Sequence, residues 1–298
     1  MLIYSNGCSH TAKYFEYTYN YIDIISDVLV NNKDYIKIDI EEEGVHAFKN
    51  KLFKFIENFT KEPYDALLMN AKAGKSNDLI FYEAYNLVKT LVSNNIKLDY
   101  AIIQFSGVNR RFYTTADGMI IDVTPAEDIE DITEQIKFEP IATEQSLQYM
   151  LILQDLFKSN NIKYCFIPYM EFDSTVIRDS SISKLIDTDF LIKDLELGCR
   201  NEFRKNGLSR DPAGHPNVYG YYEIAKLVLE KLNLIDKLNP IDKYFTKLEL
   251  EQHHGQTKIQ SLKDEFIKEY GNELGEAHDS NTLSLFKKYL DKIKKSAI

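Results

Sequence analysis

The 298 residues carry 36 Lys or Arg against 46 Asp or Glu, a formal net charge of −10. That balance argues against nucleic-acid partners, because a phosphate-tracking surface needs a clustered excess of cations. Hydrophobic residues make up 44% and charged residues 28%, the mix of one large globular core plus an appendage. Three cysteines, Cys8, Cys165 and Cys199, are too few and too unevenly spaced for a disulfide framework or a metal-ligand set. The N-terminal Met-Leu-Ile turns polar after three apolar positions, and no later run approaches a membrane span. The expectation is a cytoplasmic protein with no cofactor, no metal and no membrane partner. Twenty Tyr and 17 Phe with no Trp suit core packing first and a groove for sugars or peptides second.

In chain order, short apolar runs at residues 2–4, 66–71, 100–105 and 162–167 read as buried parallel strands, each ending in small or polar residues. Stretches with helical spacing lie at 14–30, 77–92, 143–159 and 221–232. Strands alternating with helices predict an α/β fold, a doubly wound, mainly parallel sheet flanked by helices, with sites beyond the carboxyl ends of the strands. Residues 110–140 break the rhythm. They hold eight acidic against three basic residues, with an Asp117-Gly118 turn between Tyr113 and Met119-Ile120-Ile121, so this stretch reads as a hairpin-bearing acidic insertion overhanging the third strand's exit. From residue 239 the chain is Lys/Glu-rich, with apolar stripes at Ile259, Leu262 and Phe266 and at Leu283, Phe286, Leu290 and Ile293. The expected division is a main domain over 1–238 and a C-terminal helical extension over 239–298, whose stripes need the core or a second copy of the chain to cover them.

Four segments carry chemistry. The first strand runs into Gly7-Cys8-Ser9-His10-Thr11, a turn that presents a hydroxyl beside helix-terminal N–H groups favouring negative charge. The second strand ends in Ala73-Gly74-Lys75-Ser76-Asn77, where glycine lets backbone approach a ligand. The third ends in Gly107-Val108-Asn109, which puts an amide at the same sheet edge. Late in the chain, Asp211-Pro212-Ala213-Gly214-His215-Pro216 fixes an imidazole on a loop, suited to moving a serine proton near neutral pH, with Asp211 close enough to orient it. Each segment alone also has a plain reading: Ser9 as a helix cap, the glycines and Asn109 as turn formers.

Together, in this order, the four segments resemble the SGNH (GDSL-like) hydrolase family, whose blocks supply a serine, a glycine, an asparagine and a histidine. The resemblance spans about residues 1–235, and the Gly-Cys-Ser-His opening is most similar to divergent phage-encoded members, which would make the protein virion-associated. It implies the flavodoxin-like SGNH sheet, with Ser9 as nucleophile, His215 as general base and Asp211 as orienting acid. The backbone N–H groups of Ser9 and Gly74 and the Asn109 amide would form the oxyanion hole. The sequence departs from the family pattern in carrying Cys8 and Arg110 where Asp is common, and in placing Asp211 four rather than three residues before His215. Arg110, Arg111 and Tyr113 begin the insertion beside Asn109 and would wall the substrate pocket. An Arg and aromatic rim suits a small-molecule or glycan ester, with a short acyl group, better than a long acyl chain.

Other candidates fit plainer roles. His10 diverges from Ser9 on a tight turn and lines the pocket or caps backbone. Cys8 packs beside the first strand, and the adjacent His253 and His254 face apart with no third ligand. Two other functions are compatible with the same residues: an inactive SGNH scaffold serving as a glycan-binding or phage structural module, favoured by the Asp211–His215 spacing, and an O-acyltransferase.

Overall fold

The computed structural model describes residues 1–7, 11, 20–29, 34–37, 44–62, 64–71, 75–108, 110–114, 120–123, 132–192, 198–209 and 215–251; within these, 34–37, 44–49, 111–114, 120–123 and 132–139 are described by backbone alone. Five parallel strands form the main sheet: β1 (Leu2–Gly7), β2 (Asp34–Lys37), β3 (Ala66–Ala71), β4 (Tyr100–Phe105) and β7 (Lys163–Pro168). Their order is β2-β3-β1-β4-β7. A separate antiparallel pair, β5 (Arg111–Thr114) and β6 (Ile120–Val123), is the expected hairpin at the start of the insertion; its Asp117-Gly118 turn lies outside the described residues.

Near-continuous apolar sequence in these strands reflects burial on both faces. Side chains alternate strictly. Leu2, Tyr4, Ala66, Leu68, Ala101, Ile103, Tyr164 and Phe166 face one core, shared with helices α2 (Gly44–Lys61), α3 (Asn77–Ser93) and α4 (Ile132–Ser159). Ile3, Leu67, Met69, Ile102, Cys165 and Ile167 face the other, shared with α1 (Tyr21–Leu29), α6 (Gly198–Lys205) and α7 (Val218–Lys231). A short helix, α5 (Ser174–Asp179), follows β7 and begins at Asp173, whose carboxylate accepts from the N–H groups of Thr175 and Val176.

The doubly wound, mainly parallel sheet flanked by helices is therefore as expected. Strand β2 lies at the edge beyond β3, with Ala66 of β3 opposite Leu2 on one side and Asp34 on the other. Counted in chain order without that edge strand, the remaining four, β3-β1-β4-β7, run 2-1-3-4, which is the flavodoxin-like order.

The expected domain boundary at residue 238 falls within packed structure. Tyr244 and Phe245 are buried in the α7-side core, and the Tyr222 hydroxyl donates to the Asn239 carbonyl at 2.7 Å. Residues 252–298, which carry both apolar stripes of the expected extension together with His253 and His254, lie outside the described residues.

Candidate active site

The winding of the chain creates a divergence at the carboxyl end of β1. After β1 the chain crosses to α1 on one face, whereas after its two neighbours β3 and β4 the next helices, α3 and α4, lie on the opposite face. Loops that leave adjacent parallel strands in opposite directions open a crevice, where ligands of such sheets bind. Register aligns the exits: Gly7 stands opposite Ala71, and Asn6 opposite both Asn70 and Ile103. Ser9, Gly74 and Asn109 follow these ends by two, three and four residues. They lie outside the described residues themselves, as do Asp211, Cys8 and His10 and the side chains of Arg111 and Tyr113. What the structure describes is how their flanking residues are held.

Thr11, two residues past Ser9, is fully buried. Its hydroxyl donates to Gln104 Oε1 on β4 and lies 2.6 Å from the Tyr21 hydroxyl on α1, while its carbonyl accepts from Asn20 Nδ2 at 3.0 Å. Asn20 caps α1: its Oδ1 accepts from the N–H groups of Ile22 and Asp23 at 2.9 and 3.0 Å, and Asp23 Oδ2 accepts from the Asn20 N–H at 3.0 Å, the reciprocal capping-box arrangement. On the other side of Ser9, Gly7 has no room for a side chain, since a Cβ would collide with Thr11 Oγ1 and stand 2.9 Å from Gln104 Cβ. The turn bearing Ser9 is thus pinned at both of its described ends.

The loop bearing Gly74 is anchored by Lys75, only 2% exposed and paired with the fully buried Glu83 of α3 at 2.7 Å. Strand alternation aims Asn6 and Asn70 at the same α3 face as Tyr4 and Leu68, and there they join the pair: Lys75 Nζ donates to Asn6 Oδ1 at 3.2 Å and to the Asn70 carbonyl. Tyr4 is buried here too. Burial first, and the Glu83 charge second, hold its phenol well above the ordinary tyrosine range, so it stays protonated.

The loop bearing Asn109 is held by Asn77, the first residue of α3. Its Oδ1 accepts from the Ser106 N–H at 2.6 Å, and its Nδ2 donates to the Ser106 carbonyl and to Ser146 Oγ on α4, both at 3.1 Å. Arg110 is half-buried and donates from Nη1 to Ser106 Oγ at 3.0 Å. Its guanidinium is therefore tied back to its own loop.

His215 is half-buried at the entry to α7. Behind it, Pro216 bridges to Ser209 and Asn217 caps the helix, accepting from the Gly220 N–H at 2.9 Å and donating from Nδ2 to the Gly207 carbonyl at 3.0 Å. Cys165 and Cys199 are buried, and burial pushes the Cys165 thiol up. Among the described residues, no group of three His, Cys, Asp or Glu side chains could hold a metal ion, and no helix is long and apolar enough to cross a membrane.

Asn6, Thr11, Lys75, Asn77, Glu83, Gln104 and Ser106 were not singled out in the sequence as contributors to the site. The available signal was weak: polar residues interrupting or ending otherwise apolar strands at Asn6, Asn70 and Gln104.

No protein-family model and no curated protein matches the chain. Two solved structures resemble it. One is an acetyl xylan esterase at 15% identity, covering 77% of this chain and 98% of that one with a TM-score of 0.39. The other is an α/β-hydrolase enzyme from the metagenome of Lake Arreo, Spain, at 14% identity, covering 78% and 95% with a TM-score of 0.34. A likeness of this extent is silent on reaction and residues.

Proposed function

We propose that the chain is a serine hydrolase of the SGNH type, an esterase that removes short O-acyl groups, acetyl foremost, from a carbohydrate. The observation that carries this reading is the convergence of three loop exits. The segments holding Ser9, Gly74 and Asn109 leave neighbouring strands β1, β3 and β4 at one sheet edge, around the crevice where the winding reverses. In the proposed reaction Ser9 Oγ attacks the acyl carbonyl carbon while the His215 imidazole takes the hydroxyl proton. The proton passes to the leaving alcohol oxygen, and water then releases the acid from the acyl-serine by the same base. Asp211 steadies the imidazolium. The Ser9 and Gly74 N–H groups and the Asn109 amide hold the oxyanion, each donor contributing roughly 3 kcal/mol in the transition state. Arg110, Arg111 and Tyr113 flank the substrate.

The test is hydrolysis of p-nitrophenyl acetate, butyrate and octanoate and of an O-acetylated polysaccharide by wild type and by Ser9→Ala. The reading expects Ser9-dependent acetate release with preference for the shortest ester. Turnover indifferent to Ser9 rejects the mechanism, and octanoate preference without release from the glycan rejects the substrate. An inactive phage scaffold would show no turnover but would retain glycan binding; an acyltransferase would pass the acetyl group to a sugar acceptor in preference to water.

A further inference from the structure

Buried ion pairs rarely stabilise a fold more than apolar side chains of the same volume would, because desolvation offsets the attraction. Lys75 and Glu83 nevertheless sit 2% and 0% exposed, with the buried Asn6 and Asn70 beside them. What they supply that apolar residues cannot is direction. The Lys75 ammonium has Glu83 Oε2 at 2.7 Å, Asn6 Oδ1 at 3.2 Å, Asn70 Oδ1 at 3.3 Å and the Asn70 carbonyl as acceptors for its three protons. Glu83 Oε2 also accepts from Asn6 Nδ2 at 3.1 Å, and that same amide nitrogen reaches the Ile80 carbonyl at 3.1 Å. With its nitrogen fixed in this way, the Asn6 amide turns its oxygen toward both Lys75 and the Gly7 N–H, which it holds at 2.8 Å.

One side chain thereby ties the strand end that leads to Ser9 to the residue that follows Gly74. We infer that Lys75 and Glu83 are positioning residues for the reaction: acting through Asn6, their pair fixes the end of β1 that leads to Ser9 relative to the residue that follows Gly74. The inference rests on the serine-hydrolase reading proposed above.

The experiment replaces the pair by flexible apolar residues of similar volume, Lys75→Met with Glu83→Met, and compares thermal midpoint, kcat and KM for p-nitrophenyl acetate, and the rate of Ser9 labelling by a fluorophosphonate. Positioning expects a folded protein whose KM stays within about threefold while kcat and labelling fall by about 100-fold, the scale of a misplacement of about 1 Å. A folded double variant with wild-type kcat overturns the inference while leaving the esterase reading intact. Wild type without Ser9-dependent turnover overturns both, so the two failures are distinct. Should the double variant fail to fold, Glu83→Gln keeps the shape and removes the charge. It is then expected to lose about tenfold in kcat at unchanged KM, and unchanged kcat in that variant likewise overturns the inference.

Discussion

Replacing Asn77 by alanine removes three buried hydrogen bonds from the junction of α3, the β4 exit and α4. The Ser106 N–H, held at 2.6 Å, is left without its acceptor inside the protein, at a cost of about 1–3 kcal/mol. The Ser106 carbonyl loses its donor, for a further loss of about 0.5–1.5 kcal/mol. Ser146 keeps its bond to the Ala142 carbonyl at 2.8 Å, so its loss is the smallest. The sum is about 3 kcal/mol, a large share of the roughly 5–15 kcal/mol by which domains are stable. In urea, with a slope of about 3 kcal/mol/M for a chain of this size, the midpoint should fall by about 1 M. A loss below about 1 kcal/mol for Asn77→Ala, at unchanged slope, would refute the assignment of Asn77 as the anchor of the loop that bears Asn109.

Three other outcomes are expected. Gly220→Ala drives a Cβ into the Leu208 carbonyl oxygen and to 3.1 Å from Pro216 Cβ; overpacking of this kind costs about 1–3 kcal/mol and should lower the thermal midpoint, whereas an unchanged midpoint would show that the approach relaxes freely. Asp173→Ala removes the cap of α5, at about 1 kcal/mol at pH 7. The Thr175 hydroxyl, with the Val176 and Thr175 N–H groups, holds the Asp173 carboxyl below its ordinary value. The stabilisation is therefore complete above the unfolded value near about 4 and is lost as pH falls through the folded one, so wild type and variant should converge in stability in acid and differ at neutral pH. Ending the chain after residue 238 deletes the buried Tyr244 and Phe245 and should destabilise the core by about 3 kcal/mol or more. Ending it after residue 251 retains both rings, and equal stability of the two truncates in urea would contradict their packing.

Much of the sheet was legible because burial on both faces writes an unbroken apolar run. Ala66–Ala71 and Tyr100–Phe105 are strands over the expected residues, and β7 is shifted by one. β1 extends to Gly7, beyond the apolar run at 2–4, because Ser5 and Asn6 continue the ladder opposite Met69 and Asn70. Helix α2 went unread although Leu52, Phe55 and Ile56 have helical spacing and are buried; charged residues between them diluted the stripe. α4 begins at Ile132, well before the expected 143, and runs through Pro140, a residue that ordinarily marks a helix boundary. That the segments holding Ser9, Gly74 and Asn109 follow three buried strands could be read directly, since each apolar run ends just before them. The Lys75–Glu83 pair and the asparagine ties could not, since they arise only when register brings Asn6 opposite Asn70 and alternation turns both toward α3.

The interior place of β1 also bears on how the chain comes together in time. Both ladder partners of the first strand are made long after it: Leu2 pairs with Ala66, and Ile3 with Tyr100. Contacts of such sequence separation slow folding, because loop closure precedes any gain from pairing. During synthesis β1 therefore waits with both edges open until β3 is made, and with one edge open until β4 follows. Over that interval an apolar strand with an unpaired edge is open to wrong pairing and to capture by chaperones.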